Sequence, residues 1–419
     1  MTRIFVTGCG VFVPGGKSLQ EFWQTLINGK SQIGPITAFD PSGFPTRIAA
    51  EISGYDPREY FEPKEARRTD RYTQFSILAA REAVDDARLR TSDSFSNRNV
   101  SVYEATSLGP TGWLFDQHTI FLEKGYKRLN PLAPIIGFPG AASARIAGIY
   151  NQNGRVSAIT GGSVASILAL DAALSSLRLG QAEIALVVGA EAPIFPAIVA
   201  SFSTLNVTSR NNSNPSLACR PFDALRDGIV LGEGAGALVI ETEASARLRG
   251  ASLYAEIRSI GVTCDHYHLA ASDPSGTEIS RAMELALREA RIESNEIDYL
   301  NAHGTATKLN DLIESKAIRR TFGPHAERLP VTSIKGTVGH LLGACGVVEL
   351  VASILSIRHQ KIPPTANFAT ADDSIRLQIV APSSIDCAIR HIISNNYSFG
   401  GKNTAVVISA VDNDRSQSQ

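Results

Sequence analysis

Short apolar runs that alternate with helical stretches constrain this chain more than any other feature. Continuous runs at 183–188 and 236–241 read as strands, with further strands at 155–160, 297–300, 329–333 and 404–409. Helical patterns fall at 64–88, 164–177, 277–291, 310–321 and 346–358. A strand that is apolar at every position has both faces covered. The alternation therefore predicts an α/β fold whose parallel sheets are sandwiched by helices. The stretch 164–177 is nearly all Ala, Leu, Ile and Ser, and a helix apolar on every side is a buried one. In each half a strand runs into a loop rich in small or polar residues and then into a buried helix, which points to two similar halves. The first strand, 3–7, reads as ending in a turn at Gly8 and Gly10. Its glycine spacing is not that of a dinucleotide-binding turn, and Pro14, Gly15 and Gly16 interrupt any helix that would follow.

With 419 residues, 43% of them hydrophobic and 19% charged, the chain can bury a large core. A net charge of −1 gives no bulk attraction to nucleic acid or to a membrane surface. The N-terminus is a poor signal peptide, and no stretch reads as a bilayer span. Five cysteines (Cys9, Cys219, Cys264, Cys345, Cys387) are scattered and form no C-x-x-C pair. They argue against a disulfide framework or a zinc site and lead us to expect a reducing, cytoplasmic setting. The polar tail, 413–419, is expected to be disordered.

Three segments carry chemistry: NAHGTATKLND at 301–311, SIKGTVGHLLGACG at 333–346 and NNYSFGGKN at 395–403. The first two directly follow strands, where sites gather in α/β folds. His303 and His340 each sit beside a glycine. No acidic or cysteine third ligand lies at a ligand spacing, so a metal is not expected. Two imidazoles without a metal suit hydrogen-bond donation to a developing oxyanion or enolate. The remaining histidines read as ordinary polar residues.

These segments resemble the β-ketoacyl synthase patterns A-H-G-T-x-T-x-x-N/G-D, S-x-K-x-x-x-G-H-x-x-G-A-x-G and G-F-G-G-x-N. Upstream, Arg220-Pro221-Phe222-Asp223, Arg226-Asp227-Gly228 and Gly232-Glu233-Gly234-Ala235-Gly236 are similar to a further motif of that family. Cys264–Leu269 and Arg67–Arg71 match two more. The order holds over roughly residues 2–412. The resemblance implies a thiolase-like, five-layered αβαβα fold with an N-terminal half at 1–250 and a C-terminal half at 251–412. It implies decarboxylative condensation of malonyl and acyl groups borne on the phosphopantetheine arm of an acyl carrier protein, with no tightly bound cofactor. It also implies a homodimer, or a heterodimer with a paralogue. By the same resemblance His303 and His340 would stabilise the malonyl thioester oxygen, and Lys335 would orient the second histidine. Thr305, Thr307 and Asn403 would bind substrate. Phe399 would be a gate, forming with Gly400 and Gly162 the gate and oxyanion hole.

One position departs from the pattern. The family nucleophile is a cysteine in T-A/G-C-S/T/A, and this chain reads Thr160-Gly161-Gly162-Ser163, with Gly162 in the cysteine's place. Ser163, one residue off, reads as the N-cap of the following helix, and Cys345 as core filling. Smaller departures are Ala306 for glycine, Lys308 for proline, and Tyr397-Ser398 where small residues are usual. Three functions fit: a ketosynthase inactivated by replacement of its cysteine, a natural cysteine-less member that decarboxylates or transfers acyl groups, and a non-catalytic chain-length-factor-like subunit.

Overall fold

The computed structural model describes residues 2–89 and 100–411; the tail expected to be disordered lies outside them. Eleven strands form one hydrogen-bonded sheet system. In chain order they are β1 (Ile4–Phe12), β2 (Val100–Thr106), β3 (Val156–Thr160), β4 (Ile184–Glu191), β5 (Gly234–Thr242), β6 (Ala255–Cys264), β7 (Tyr299–Asn301), β8 (Pro330–Thr332), β9 (Gln378–Ile379), β10 (His391–Ser398) and β11 (Lys402–Ser409). Their spatial order is β9-β8-β7-β10-β11-β6-β1-β5-β4-β2-β3.

The order contains one pattern twice. β2 lies parallel between β3 and β4, β4 pairs antiparallel with β5, and β5 with β1. In the same way β7 lies parallel between β8 and β10, β10 pairs antiparallel with β11, and β11 with β6. A short β1–β6 ladder joins the two sets. The parallel sheets expected from the apolar runs are therefore mixed sheets. A strand covered on both faces is apolar whichever way its neighbour runs, so composition did not carry direction.

Helices complete five layers. α1 (Arg71–Asp86) and α2 (Ala141–Ile149) cover the outer face of the first set, through Phe75, Ala79, Ile146, Val102, Leu186 and Val239. α3 (Ala165–Arg178) and α6 (Cys345–His359) fill the middle between the sets, through Leu170, Leu174, Val348 and Val351. α4 (Thr277–Ala290) and α5 (Lys308–Phe322) cover the outer face of the second set. The fold is the thiolase-like αβαβα arrangement of two related halves. The 18-residue stretch Leu342–His359, in the middle layer, is after all long and apolar enough to cross a membrane, and 89% of it is buried inside the protein.

Two local expectations change. The helix read at 64–88 is a short helix, Pro63–Ala66, and then α1, because the Asp70 carboxylate accepts the backbone N–H groups of Tyr72 and Thr73 and starts a new helix. The first strand does not end at Gly8 but runs to Phe12. A Cβ on Gly8 or Gly10 would sit 2.3 or 2.2 Å from the carbonyl oxygens of Ala83 and Ala79 in α1. Those glycines let the helix lie directly on the strand rather than turning the chain.

Candidate active site

The carboxyl ends of β3, β7, β8 and β10 open on a cavity of about 570 Å³. His303, Thr305 and Thr307 reach it from the loop after β7, and His340 from the loop after β8. Gly162 and Ser163 reach it after β3, and Ser398 and Phe399 at the end of β10. Phe202, Leu108, Ile229 and Leu342 supply its apolar wall.

The imidazoles of His303 and His340 lie 5.6 Å apart, centroid to centroid, at nearly a right angle. His340 Nδ1 accepts the Leu342 N–H at 3.0 Å. That bond leaves the ring proton on Nε2, which faces the cavity 3.4 Å from Ser163 Oγ. Burial, with the nearby positive charge of Lys335, drives His340 down to about 3. The same causes, with His340, hold His303 well below its usual value. Both rings are therefore neutral at physiological pH. The His303 loop is fixed by Glu314 of α5, whose two oxygens accept the N–H groups of His303 and Gly304 at 2.8 Å each. Burial raises that carboxyl to about 8. His303 Nδ1 is buried and has no hydrogen-bond partner among the described residues.

Lys335 does not bond to His340. Its ammonium is paired with the Glu349 carboxylate of α6, both side chains being buried. Glu349 also accepts from Asn396 Nδ2 at 2.6 Å. Burial works against the lysine's charge, but the Glu349 carboxylate, helped by Cys345 and Glu314, holds the pKa above the ordinary value. The lysine thus acts on the histidines through its charge, and the Leu342 amide does the orienting. Glu349 escaped the sequence reading, although a lone acid in an otherwise apolar helix signals a buried partner.

Gly162, which the motif match assigns to the nucleophile's position, opens a 3₁₀ turn, Gly162–Val164, that leads into α3 with φ +67°. Ser163 already lies inside that turn, so it is not the N-cap expected from sequence. α3 starts from Val164 with no side-chain cap, and the Ser163 hydroxyl lines the cavity instead. Its imidazole neighbour carries the proton on the facing nitrogen and cannot take one from it. Cys345 is buried in the middle layer, and burial lifts its thiol to about 12.

The remaining predicted residues divide. Thr305 and Thr307 line the cavity with their hydroxyls 3.0 Å apart, and Thr307 caps α5. Phe399, 45% exposed, stands at the mouth. Gly400 has its N–H committed to Leu269 O at 2.8 Å and does not line the cavity. Asn403 does not line it either, because β11 turns it into the core, where its Nδ2 donates to Gly401 O.

A paired-half α/β fold places two neutral imidazoles at its strand ends, where they can donate to a developing oxyanion or enolate. Comparison with known proteins makes this specific. The N-terminal domain of β-ketoacyl synthase matches residues 1–246, and the C-terminal domain matches residues 254–369. The chain belongs to the β-ketoacyl synthase family. It is 38% identical over 405 residues to 3-oxoacyl-[acyl-carrier-protein] synthase 2 of Staphylococcus aureus (strain N315), covering 97% of each chain. Among solved structures it is similar to the ishigamide ketosynthase/chain length factor, with a TM-score of 0.90 and 31% identity over 98% of this chain and 100% of that one. It is equally similar, with a TM-score of 0.90 and 30% identity over 98% and 100%, to the AntDE:AntF assembly, a type II PKS acyl-carrier protein in complex with its ketosynthase bound to the hexaketide.

Proposed function

We propose that this protein is a ketosynthase-type acyltransferase of fatty-acid or polyketide synthesis that decarboxylates malonyl groups on an acyl carrier protein and forms no acyl-enzyme. The observation that carries the reading is His340. Its Nε2–H is fixed toward the cavity by the Leu342 amide, beside a second neutral imidazole, while the chain at the N-terminus of α3 offers no thiol. In the reaction the bond from the malonyl α-carbon to its carboxylate breaks and CO2 leaves. The electron pair enters an enolate whose oxygen meets the histidine N–H groups. A proton from water then completes the acetyl thioester. A fixed donor in a dry site stabilises such charge without reorganising. Thr305 and Thr307 are the proposed contacts to the pantetheine arm, and Phe399 the gate.

The carrier protein is the proposed partner, as in the AntDE:AntF assembly. A second copy or a paralogue is the other, and the protein is proposed to work in the cytoplasm. Exposed Phe115, Phe121 and Leu122 on the helix Thr111–Lys124, with Val156 on the edge strand β3, support such a pairing. The chain-length-factor reading draws on the missing thiol and on the likeness to the ishigamide ketosynthase/chain length factor. The experiment pairs intact-protein mass spectrometry after incubation with acyl carrier protein or acyl-CoA with product analysis on malonyl-carrier protein. We expect no acyl adduct and an acetyl-carrier product. A stoichiometric adduct would overturn the reading. An inert protein that a partner ketosynthase nevertheless requires would favour the chain-length-factor role.

A further inference from the structure

The volume in front of Gly162 is not empty. An ideal Cβ built on Gly162 would lie 2.1 Å from Ser398 Oγ, and 3.4 Å from Ser398 Cβ. A side chain there would require the Ser398 hydroxyl to rotate away, while the Ser398 Cβ is at ordinary contact. That oxygen is held in place, since it accepts the Ser163 N–H at 3.1 Å. Ser163 N lies in the 3₁₀ turn just ahead of α3, beside the helix end whose unpaired N–H groups stabilise negative charge. Ser398 lines the same cavity as His303, His340 and Phe399.

The positive φ at Gly162 strains a side chain but does not by itself bar one in this fold. The second half of the fold repeats the same elbow: Leu342 opens the 3₁₀ turn Leu342–Ala344 ahead of α6 with φ +45°. Gly162 opens its own turn with φ +67°. A leucine sits at the equivalent place, so this elbow carries a side chain in this fold. At residue 162 the Ser398 oxygen is the group that must move before one fits.

We propose that Ser398 is the specificity-determining residue of the site. Its hydroxyl takes the space and the helix N–H group that a thiol at residue 162 would use, so the cavity handles a carrier-bound acyl group without room for an acylated enzyme side chain. This deepens the decarboxylase reading and rests on it only for its functional meaning, because the steric claim stands without any turnover. It also predicts that a cysteine introduced at residue 162 alone is hindered, since it must first displace Ser398 from the Ser163 N–H.

The test compares Gly162→Cys, Gly162→Cys/Ser398→Ala and Gly162→Cys/Ser398→Gly. Iodoacetamide alkylation at residue 162 is followed by peptide mass spectrometry, and folding by circular dichroism. Both double variants should be alkylated at least about 10-fold faster than the single one, because only there is the thiol free to reach the helix N–H groups that lower its pKa. A single variant that misfolds while the doubles fold supports the proposal equally. Equal rates in all three, or doubles that do not fold, would overturn it. Alkylation needs no substrate, so a failure here is separable from a failure to decarboxylate malonyl-carrier protein.

Discussion

His340 gains its chemistry from one backbone bond. The Leu342 N–H occupies Nδ1, so the proton must sit on Nε2, on the cavity side. Burial and Lys335 then keep the ring uncharged down to about 3. A histidine in water protonates near ~6.5. The decarboxylation rate should therefore hold as the pH falls from about 7 to about 5, where an ordinary imidazole would change state. A pH–rate profile with an acid limb near ~6.5 would show that the ring titrates normally and contradict this geometry. The histidines, Lys335, Thr305, Thr307 and Phe399 were all legible from motifs, since each lies in a contiguous run. Glu349 and Ser398 were not read as partners. Glu349 meets Lys335 across separate elements, and Ser398 meets the space before Gly162 across most of the chain, so no local pattern records either contact.

Among the elements, the strands show what periodicity can and cannot tell. The order of strands and buried helices was visible in the apolar runs, whereas the antiparallel turns of β5 and β11 were not. Gly8 and Gly10 looked like a turn, yet they mark the close approach of α1 to β1. The second half has the same device, since a Cβ on Gly261 of β6 would lie 2.0 Å from the carbonyl oxygen of Ala282 in α4. A backbone oxygen inside a packed helix cannot step aside. Gly261→Ala should lower stability by about 3 kcal/mol, at the upper end of overpacking costs, measured by chemical denaturation. Gly43→Ala, at a position with nothing within 4 Å, is the control and should shift stability by less than about 0.5 kcal/mol. Equal behaviour of the two variants would mean that α4 does not lie on β6 as described.

At the scale of the whole molecule, the price of five packed layers is a set of acids shut away from water. Burial raises Glu104 and Glu191 to about 7 and Glu314 to about 8, and the partly buried Glu82 also to about 7. Each folded pKa lies above its unfolded value, so the stability these groups contribute is present at low pH and lost as pH rises through 7 and 8. The two depressed histidines work the other way, but only below about pH 6.5, where the unfolded rings begin to bind protons. The thermal midpoint should accordingly fall between about pH 6.5 and 8.5, and a midpoint that rises over that range would contradict the burial of these acids. The same layered architecture sets the histidine pair, the elbow at Gly162 and Phe399 around one cavity, which we propose decarboxylates without a thiol. The direct test is the initial rate of acetyl-carrier protein formation from malonyl-carrier protein by the unaltered chain, beside His340→Ala and His303→Ala. Measurable turnover with no acyl adduct on the protein is expected, reduced on the order of 10²–10³-fold in either histidine variant. Turnover that is absent in the unaltered chain, or unchanged when either imidazole is removed, would contradict it.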